Sequence, residues 1–463
     1  MSEQNKANTA SPRQRYQQPT LFGMELAPQP PRPPKGEKAK SRRRSQSGVA
    51  LLMVLVLILL STTLTIEMQY DTHIQLQMAA NSRDAMRAEY LAKSAVGFTH
   101  LILAFNTQYQ RLKNSAQVKR FIKFAPPQMQ MVMNRLQLWR IAPIDSAVLK
   151  QLFTGGFGSR PPDPNKQQDK ADQGKLYNFG DFTGRFSAKL SDESSKINLN
   201  RFRLSYADAQ KLRVQLMHLF AAKKYDKLFE NPRADGTRVT RAEQIAAFED
   251  WVDRDNNVAG ASGSDEDSKY RYQEKGYFSK NHYFTSLQEI RLVFGVDDLF
   301  YQTFAQYFTV FGNRSKINIQ DASEDVLASL VTNYAVKYNG KTLKPAERLL
   351  IARDPGFQQF MKAMTMYRSY LGFNDLDTFI NWCANPTVLP STLYPGAQTQ
   401  QFTAGTMPKV ILNKIQLNNV ADVAASTFRV DAVGQVGRVK RRITTVIYAE
   451  PSGRRLVYYW RMH

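Results

Sequence analysis

Residues 41–66 read SRRRSQSGVALLMVLVLILLSTTLTI, and this stretch decides how the chain is organised. Three arginines at positions 42–44 and a single glycine, Gly48, lead into residues 49–66, none of which is charged. A helix of that length reaches roughly 27 Å, about the thickness of one hydrocarbon core. The segment therefore predicts one membrane-spanning helix near the N-terminus.

The charges that precede this span predict its orientation. Ten Lys and Arg residues but only three Glu residues lie before it, so the positive-inside rule leaves this end in the cytoplasm and the body of the chain across the membrane. The same segment is poor in apolar residues and contains a proline-rich tract near position 30. We expect residues 1–48 to be a basic cytoplasmic leader without a core of its own.

The position of Gly48 predicts proteolytic processing. A secretory signal peptide is cut after its apolar run, yet no small-residue cleavage box follows Ile66. Here a glycine separates the basic leader from the start of the helix, which resembles type IV prepilin-like proteins, whose leaders are cut just before the helix. We predict a mature protein that starts at Val49, with an N-methylated terminus.

Composition limits the remaining function classes. The formal net charge is +23, and about +16 of it lies beyond the leader. Because Lys and Arg are scattered among acids, a solvated basic surface is favoured over a dedicated site for acidic partners or membrane. The single cysteine, Cys383, excludes an internal disulfide. A hydrophobic content of 43% is enough for two or three domains.

The apolar helix is expected to continue beyond the membrane, to about residue 106. Residues 67–106 contain no proline and one glycine, and apolar residues recur there at spacings of four and three, at Leu91, Ala95, Phe98, Ile102 and Phe105. This periodicity predicts a second half that lies against a globular domain.

The rest of the chain predicts helices enclosed by strands. Residues 107–200 should hold an insert that includes a helical 136–153, a long loop at 153–175 and a strand at 181–190. Residues 201–400 should be mainly helical, with N-terminal capping boxes at Ser205 and Thr240. Residues 401–463 should form three antiparallel strands. The sequence SKINLNRF at 195 is repeated as SKINIQDA at 315, each a short strand before a helix, and weakly as NKIQLNN at 413, without an evident helix.

No common catalytic pattern occurs in the sequence. The five histidines form no H-E-x-x-H motif or close pair, and no Walker loop, G-x-S-x-G elbow or G-x-G-x-x-G is present. We therefore expect a protein that is not an enzyme.

The richest group of polar residues lies in EDWVDRDNNVAGASGSDEDSKY, at 249–270. Clustered carboxylates repel one another unless a hard cation neutralises them, and calcium takes six to eight oxygen ligands. The spacing Asp253-x-Asp255-x-Asn257 resembles an EF-hand, but Val258 and Ser264 stand where that loop needs glycine and glutamate. A different calcium loop, closed by Glu266 or Asp267, is our hypothesis. Its candidate ligands are Asp250, Asp253, Asp255, Asn257, Asp265, Glu266 and Asp267.

Three alternatives remain open at this point. The acidic loop could be solvated, with Asp250 merely ending a helix, or it could hold a glycosidase-like carboxylate pair, the least favoured choice. The segment KINIQDASEDVLASL resembles helix-hairpin-helix proteins, which bind nucleic-acid phosphates through glycine-rich hairpins. No G-x-G hairpin follows it, so nucleic-acid binding is a minority hypothesis.

Several stretches in order resemble general secretion pathway protein K, the large minor pseudopilin family of type II secretion systems. The resemblance runs from residue 44 to the C-terminus. The stretches that carry it are SGVALLMVLVLILLSTTLTIEM (47–68), GRFSAKLSDESSKINLNRF (184–202), EDWVDRDN (249–256), EDSKY (266–270), FSKNHYFTSLQEIRLVFGV (278–296), KINIQDASEDVLASL (316–330) and LVYYWR (456–461).

This resemblance implies an α+β pseudopilin fold: a long N-terminal transmembrane helix, a small antiparallel sheet and a large inserted α-helical domain at about 201–400. It implies a tip subunit, assembled with minor pseudopilins I, J and H, that primes the pseudopilus exporting folded proteins across the outer membrane. It also implies calcium binding by EDWVDRDN and EDSKY, processing by prepilin peptidase, and an inner-membrane anchor with a periplasmic body.

Two features of the sequence bear on this resemblance. Met53 is the fifth residue of the predicted mature protein, where most pseudopilins carry a glutamate. The lack of glutamate is typical of the K subunit and fits a subunit with nothing stacked above it. The leader to Gly48 and the insert at 108–175 are both longer than the family pattern. The alternative function is an envelope protein of a type IV pilus or DNA-uptake apparatus that binds nucleic acid.

Overall fold

The structure is a computed structural model that describes residues 47–124, 126, 129, 132, 137–141, 144–146, 178–179, 182–233, 236–259, 265–271, 276–312, 316–387, 407–450 and 452–463. Nearly all of the predicted leader and the whole loop predicted at 153–175 lie outside these residues.

The N-terminal helix, α1, spans Ser47–Asn114 and is longer than the sequence predicts. Its apolar window has a mean hydropathy of 2.7, and none of that window is buried. By length and composition it is a helix that could cross a membrane, which suits a single-pass anchor. Gln75–His463 forms one compact unit.

Five antiparallel strands form the main sheet, in the spatial order β1-β4-β12-β13-β14. Their bounds are β1 Ile144–Asp145, β4 Arg185–Asp192, β12 Thr427–Val436, β13 Val439–Ala449 and β14 Arg455–Met462. The three C-terminal strands predicted after residue 401 and the strand predicted at 181–190 are thus confirmed. The remaining strands are short: β2 Asn178–Phe179, β3 Phe182–Thr183, β5 Ile197–Asn198, β6 Phe308–Thr309, β7 Ile317–Asn318, β8 Ala335–Tyr338, β9 Lys341–Thr342, β10 Val410–Leu412 and β11 Ala421–Asp422.

The second half of α1 packs on this sheet, as its periodicity predicts. Leu91, Ala95 and Ile102 are buried against strand residues such as Val430. Phe105 was expected on the same face but is 58% exposed. Steps of four and three average 3.5 residues, so the predicted stripe drifts around a helix of 3.6 residues per turn.

A large helical insert separates β4 from β12, although these two strands are direct neighbours in the sheet. It has a hydrophobic core of its own, distinct from the core between α1 and the sheet. The mainly helical middle of the chain is confirmed. The remaining helices are α2 Ala116–Phe124, α3 Leu138–Ile141, α4 Tyr206–Phe220, α5 Asp226–Glu230, α6 Arg241–Asp250, α7 Ser268–Arg271, α8 Asp298–Phe304, α9 Glu324–Tyr334, α10 Pro345–Ile351, α11 Pro355–Tyr370, α12 Leu376–Ala384 and α13 Lys414–Asn418.

The repeated SKIN segments share one local device. The side chain of Asn198 accepts a hydrogen bond from the backbone N–H of Asn200, and that of Asn318 accepts one from Gln320, so each ends a short strand and begins a turn. In the third copy, Asn413 stands where the other two copies have serine, and its side chain accepts from the backbone N–H three residues on, at Gln416. This copy does contain a helix, α13, contrary to our expectation, because Asn413 is an N-cap.

The helix predicted over 136–153 is wrong in part. Among the described residues of that stretch α3 and Ser146 are helical, whereas Ile144 and Asp145 form edge strand β1, with Ile144 opposite Ala188. Pro143 has no N–H to continue a helix, and Ile144 is buried in the core between α1 and the sheet. The expected α+β class, with a long helix against a small antiparallel sheet and a helical insert, is confirmed.

Candidate metal centre

Three of the seven predicted metal ligands come together in the insert. Asp250 is the last residue of α6, Asp253 lies in the turn that follows, and Glu266 lies just before α7. Carboxylate oxygens of the three lie within 4.8 Å of one another. Asp250 and Glu266 are each only 1% exposed, so these carboxylates are not those of a solvated loop.

The local fold holds the turn between Asp250 and Asp253 in place from both sides. Thr240 begins α6 with the predicted capping box, in which Glu243 reciprocates. After the helix, the guanidinium of Arg203 donates to the carbonyls of Val252 at 2.7 Å and Asn281 at 2.6 Å, and also to that of Asp253. The backbone of the site is therefore fixed by contacts that do not use its carboxylates.

Each of the three carboxylates keeps one buried oxygen that accepts no hydrogen bond within the described residues, namely Asp250 Oδ2, Asp253 Oδ1 and Glu266 Oε1. The other oxygens of Asp250 and Glu266 are used: Asp250 Oδ1 accepts from Ala259 N at 2.6 Å, and Glu266 Oε2 from Ser279 Oγ at 3.2 Å. Lys269 Nζ lies 3.6 Å from Asp250 Oδ2 and supplies one positive charge against three carboxylates.

Burial raises the pKa of all three groups. Burial is the largest cause in each case, and the neighbouring carboxylates add to it at Asp253 and Glu266. The pKa of Asp250 rises to about 6, that of Asp253 to about 7 and that of Glu266 to about 8. Buried oxygens without donors, in groups that resist ionisation together, form the donor set that a hard cation satisfies. The residues present therefore fit calcium.

The four other candidates make different contacts. Asp255 Oδ1 accepts from the backbone N–H of Asn257 at 3.0 Å, so the second and third positions of the EF-hand-like spacing form an Asx turn with each other. Asp265 Oδ2 pairs with Arg271 at 2.9 Å. Asp267 Oδ1 accepts from the backbone N–H of Ser279 at 2.9 Å.

Sequence reasoning missed the contribution of the segment 279–281. Ser279 contacts both Glu266 and Asp267, while Asn281 donates to the Asp255 carbonyl at 3.0 Å and adopts a positive φ of 47°. In the sequence, FSKNHY (278–283) is distinguished only by its likeness to the family. Nothing in its spacing from residue 266 predicted contact, because that contact depends on the fold of the insert.

Residues 195–313, which include the whole carboxylate cluster, match the family model described as Type II secretion system (T2SS), protein K. The match covers this segment alone. It begins two residues before β5 and ends just after β6, so it covers the first half of the helical insert.

Two curated relatives carry the same family name. Type II secretion system protein K of Klebsiella pneumoniae is 29% identical over 197 residues, which are 42% of this chain and 55% of the relative. The protein of the same name from Aeromonas hydrophila is 26% identical over 233 residues, 50% of this chain and 67% of the relative. The chain thus spans about half the length of the Klebsiella relative.

A crystal structure of the GspK-GspI-GspJ complex from the type 2 secretion system of enterotoxigenic Escherichia coli is similar to this chain. The sequence identity is 17% and the TM-score is 0.46, with 84% of this chain and 99% of the other covered.

Proposed function

We propose that this protein is a minor pseudopilin at the tip of a type II secretion pseudopilus, where it starts assembly of the filament that exports folded proteins. The observation that carries this proposal is the match of residues 195–313 to the protein K family model, within the insert between β4 and β12 of a sheet that packs on a long helix. The role is that of an assembly component rather than a catalyst.

The architecture gives a physical reason for a terminal position. The insert occupies the chain from residue 193 to residue 426, and this bulk on each subunit would hinder repeated packing in a thin filament. Met53 in the apolar run lacks the carboxylate that would pair with a neighbour's terminal amine. We expect few copies at one end, which immunogold labelling of sheared filaments would detect. Label along the whole shaft would contradict it.

The same proposal includes processing at Gly48 by a prepilin peptidase and an inner-membrane anchor with a periplasmic body. A Cβ at Gly48 would meet no heavy atom of the described residues within 4 Å, so packing inside the chain does not account for this glycine. Recognition by a peptidase does account for it. Mass spectrometry of the membrane-extracted protein should find Val49 at the N-terminus, and Gly48→Arg should leave the leader attached.

We also propose that Asp250, Asp253 and Glu266 hold calcium in the protein K domain. Calcium would supply positive charge to two buried carboxylates and one half-buried one, and so would hold α6 and α7 at a fixed separation. The buried carboxylate oxygens that accept no hydrogen bond within the described residues, one on each side chain, support this proposal.

The proposed partners are the minor pseudopilins I and J, with H as a further member. The relatives named protein K, and the solved complex in which a protein of that name is bound to I and J, suggest this set. Titration of the protein with duplex DNA at several salt concentrations tests the alternative, because phosphate binding weakens steeply with salt. Salt-dependent affinity in the micromolar range or tighter would favour a DNA-uptake role instead.

A further inference from the structure

We propose that the outer edge of β14 is a docking site for an extended, acidic segment of a partner protein, which would join the main sheet as an additional strand. The proposal stands apart from the secretion role, because it rests on the backbone, the exposed side chains and the charge of residues 438–463.

The backbone register leaves a row of polar groups open along this edge. Arg442 N donates to the His463 carbonyl at 3.2 Å and His463 N donates to the Arg442 carbonyl at 2.8 Å, so His463 forms a hydrogen-bonded pair with β13. In an antiparallel ladder, alternate residues turn their N–H and C=O inward and outward. Trp460 and Met462 therefore turn theirs outward, and neither makes a hydrogen bond there within the described residues.

The side chains along the same edge are apolar and exposed. Trp460 and Met462 are each 45% exposed and lie on one face of the strand, two residues apart. A groove of about 550 Å³ lies beside the middle of the strand, lined by Tyr283, Phe311 and Tyr459 among others. Proteins normally protect an open edge with proline, a bulge or charge. The pairing of β14 has one irregularity, at Tyr458, but residues 459–462 beyond it pair in unbroken register, so this aromatic part of the edge is suited to adding a strand.

The charge around the edge selects the partner. Five exposed basic residues lie at the C-terminal end of the edge and form no ion pair within the described residues: Arg461 on β14, Lys440, Arg441 and Arg442 on β13, and Arg438 in the turn before β13. Thr444, the residue directly opposite Arg461, is uncharged. An incoming strand that carries carboxylates would meet these cations, whereas a second copy of this chain would bring its own Arg461 against them. The site therefore favours a different, acidic protein over self-association.

An anionic lipid surface could satisfy the basic side chains, but lipid headgroups do not form a ladder with outward-facing N–H and C=O groups. The open backbone at Trp460 and Met462 favours a polypeptide for this reason. Protection of those two amides from solvent exchange is the observation that separates a strand from a membrane.

The test uses the full chain in detergent micelles and a ten-residue peptide that alternates Glu with Val and Thr. Hydrogen exchange at residues 458–463 is measured with this peptide, with its Lys-for-Glu counterpart, and with phosphatidylglycerol vesicles. The acidic peptide should slow exchange at Trp460 and Met462, and the basic peptide should not. No slowing with the acidic peptide, or slowing with vesicles alone, would overturn the proposal.

Two substitutions at one position separate the backbone from the side chain. Met462→Pro removes an outward N–H but leaves the ladder to β13 intact, since proline is tolerated at such edge positions. It should weaken peptide binding about tenfold, the effect of losing one hydrogen bond, while Met462→Ala should stay within about threefold. Circular dichroism checks that both variants fold. Equal affinity of Met462→Pro and wild type, in the folded protein, would contradict strand addition.

Discussion

The Nδ2 group of Asn318 donates a hydrogen bond of 2.7 Å to Oδ2 of Asp192 and so connects the helical insert to the end of β4. Asp192 is buried and its pKa rises to about 6, chiefly through that burial. Its other oxygen accepts from the backbone and the hydroxyl of Ser194. The contact joins the end of β4, just before the first SKIN segment, to the asparagine of the second SKIN segment.

Asn318→Ala should destabilise the compact unit Gln75–His463 by about 2 kcal/mol. The substitution leaves a buried carboxylate without one of its donors, and an unsatisfied buried group costs about 1–3 kcal/mol. Denaturant unfolding of this fragment measures the loss. Asn413→Ala is the control, because it removes an asparagine side chain that caps α13 and does not contact a buried carboxylate. That variant should lose about 1 kcal/mol. A loss for Asn318→Ala no larger than for the control would contradict the importance of the Asp192 contact.

Gly434→Ala should loosen the packing of α1 on the sheet. A Cβ at Gly434 would collide with the Ala88 carbonyl and lie 2.6 Å from Ala92 N, both backbone atoms that cannot move alone. We expect a loss of about 3 kcal/mol, at the upper end for overpacking. Gly97→Ala on the open side of the same helix meets no atom within 4 Å and should instead gain up to about 1 kcal/mol. Urea unfolding of both variants decides the matter, and equal stabilities would refute the close approach.

Acid should destabilise the insert through His218. This side chain is 4% exposed, and burial, followed by the charge of Arg348, lowers its pKa to about 4. The unfolded state therefore binds more protons between about pH 6.5 and pH 4, and stability falls as pH drops through that window. The full shift corresponds to about 3 kcal/mol.

His218→Gln should reduce the loss of stability at acid pH, because glutamine does not acquire a charge there. Glutamine can still approach Thr332, whose hydroxyl lies 2.9 Å from His218 Nδ1. Stability of the fragment is measured from pH 7.5 to pH 4. His282→Gln, at an exposed histidine, should leave the profile unchanged. If His218→Gln keeps the wild-type profile, buried-histidine titration is not the cause of the acid sensitivity.

Calcium should stabilise the fragment Gln75–His463, since only the folded loop brings Asp250, Asp253 and Glu266 together. At a calcium concentration one hundred times its dissociation constant, the gain is about 2.7 kcal/mol. Asp253→Ala should abolish the increase in melting temperature. Asp255→Ala is the control, because Asp255 makes a local turn and lies outside the cluster. Identical melting of the wild type in calcium and in chelator would argue against a metal site.

Local patterns predicted much of this fold. The uncharged run after Gly48, the capping box at Thr240 and the alternating strands after residue 427 depend on neighbours in sequence, so their periods and caps identify them directly. The errors come where tertiary packing decides. Ile144 reads as part of an apolar helix but pairs with Ala188 of β4, a partner 44 positions away.

The sequence likewise predicted only part of the candidate site. The acidic composition of 250–267 marks the region, but seven oxygen-bearing side chains at close spacing cannot reveal which ones face inward. Burial selects Asp250, Asp253 and Glu266, while Asp265 and Asp267 turn to Arg271 and Ser279. That choice depends on how α6, α7 and the segment 279–281 pack together, which one sequence does not encode in any local spacing.

The most direct test of the secretion role is co-purification of this protein with pseudopilins I and J of the same organism. Gln75–His463 and the matching periplasmic domains of I and J, mixed at equal concentration, are separated by size-exclusion chromatography with light scattering. A minor pseudopilin K should elute with both partners as one complex, in a ratio of one to one to one. Elution of this protein alone, at concentrations where I and J associate with each other, would contradict the proposed function.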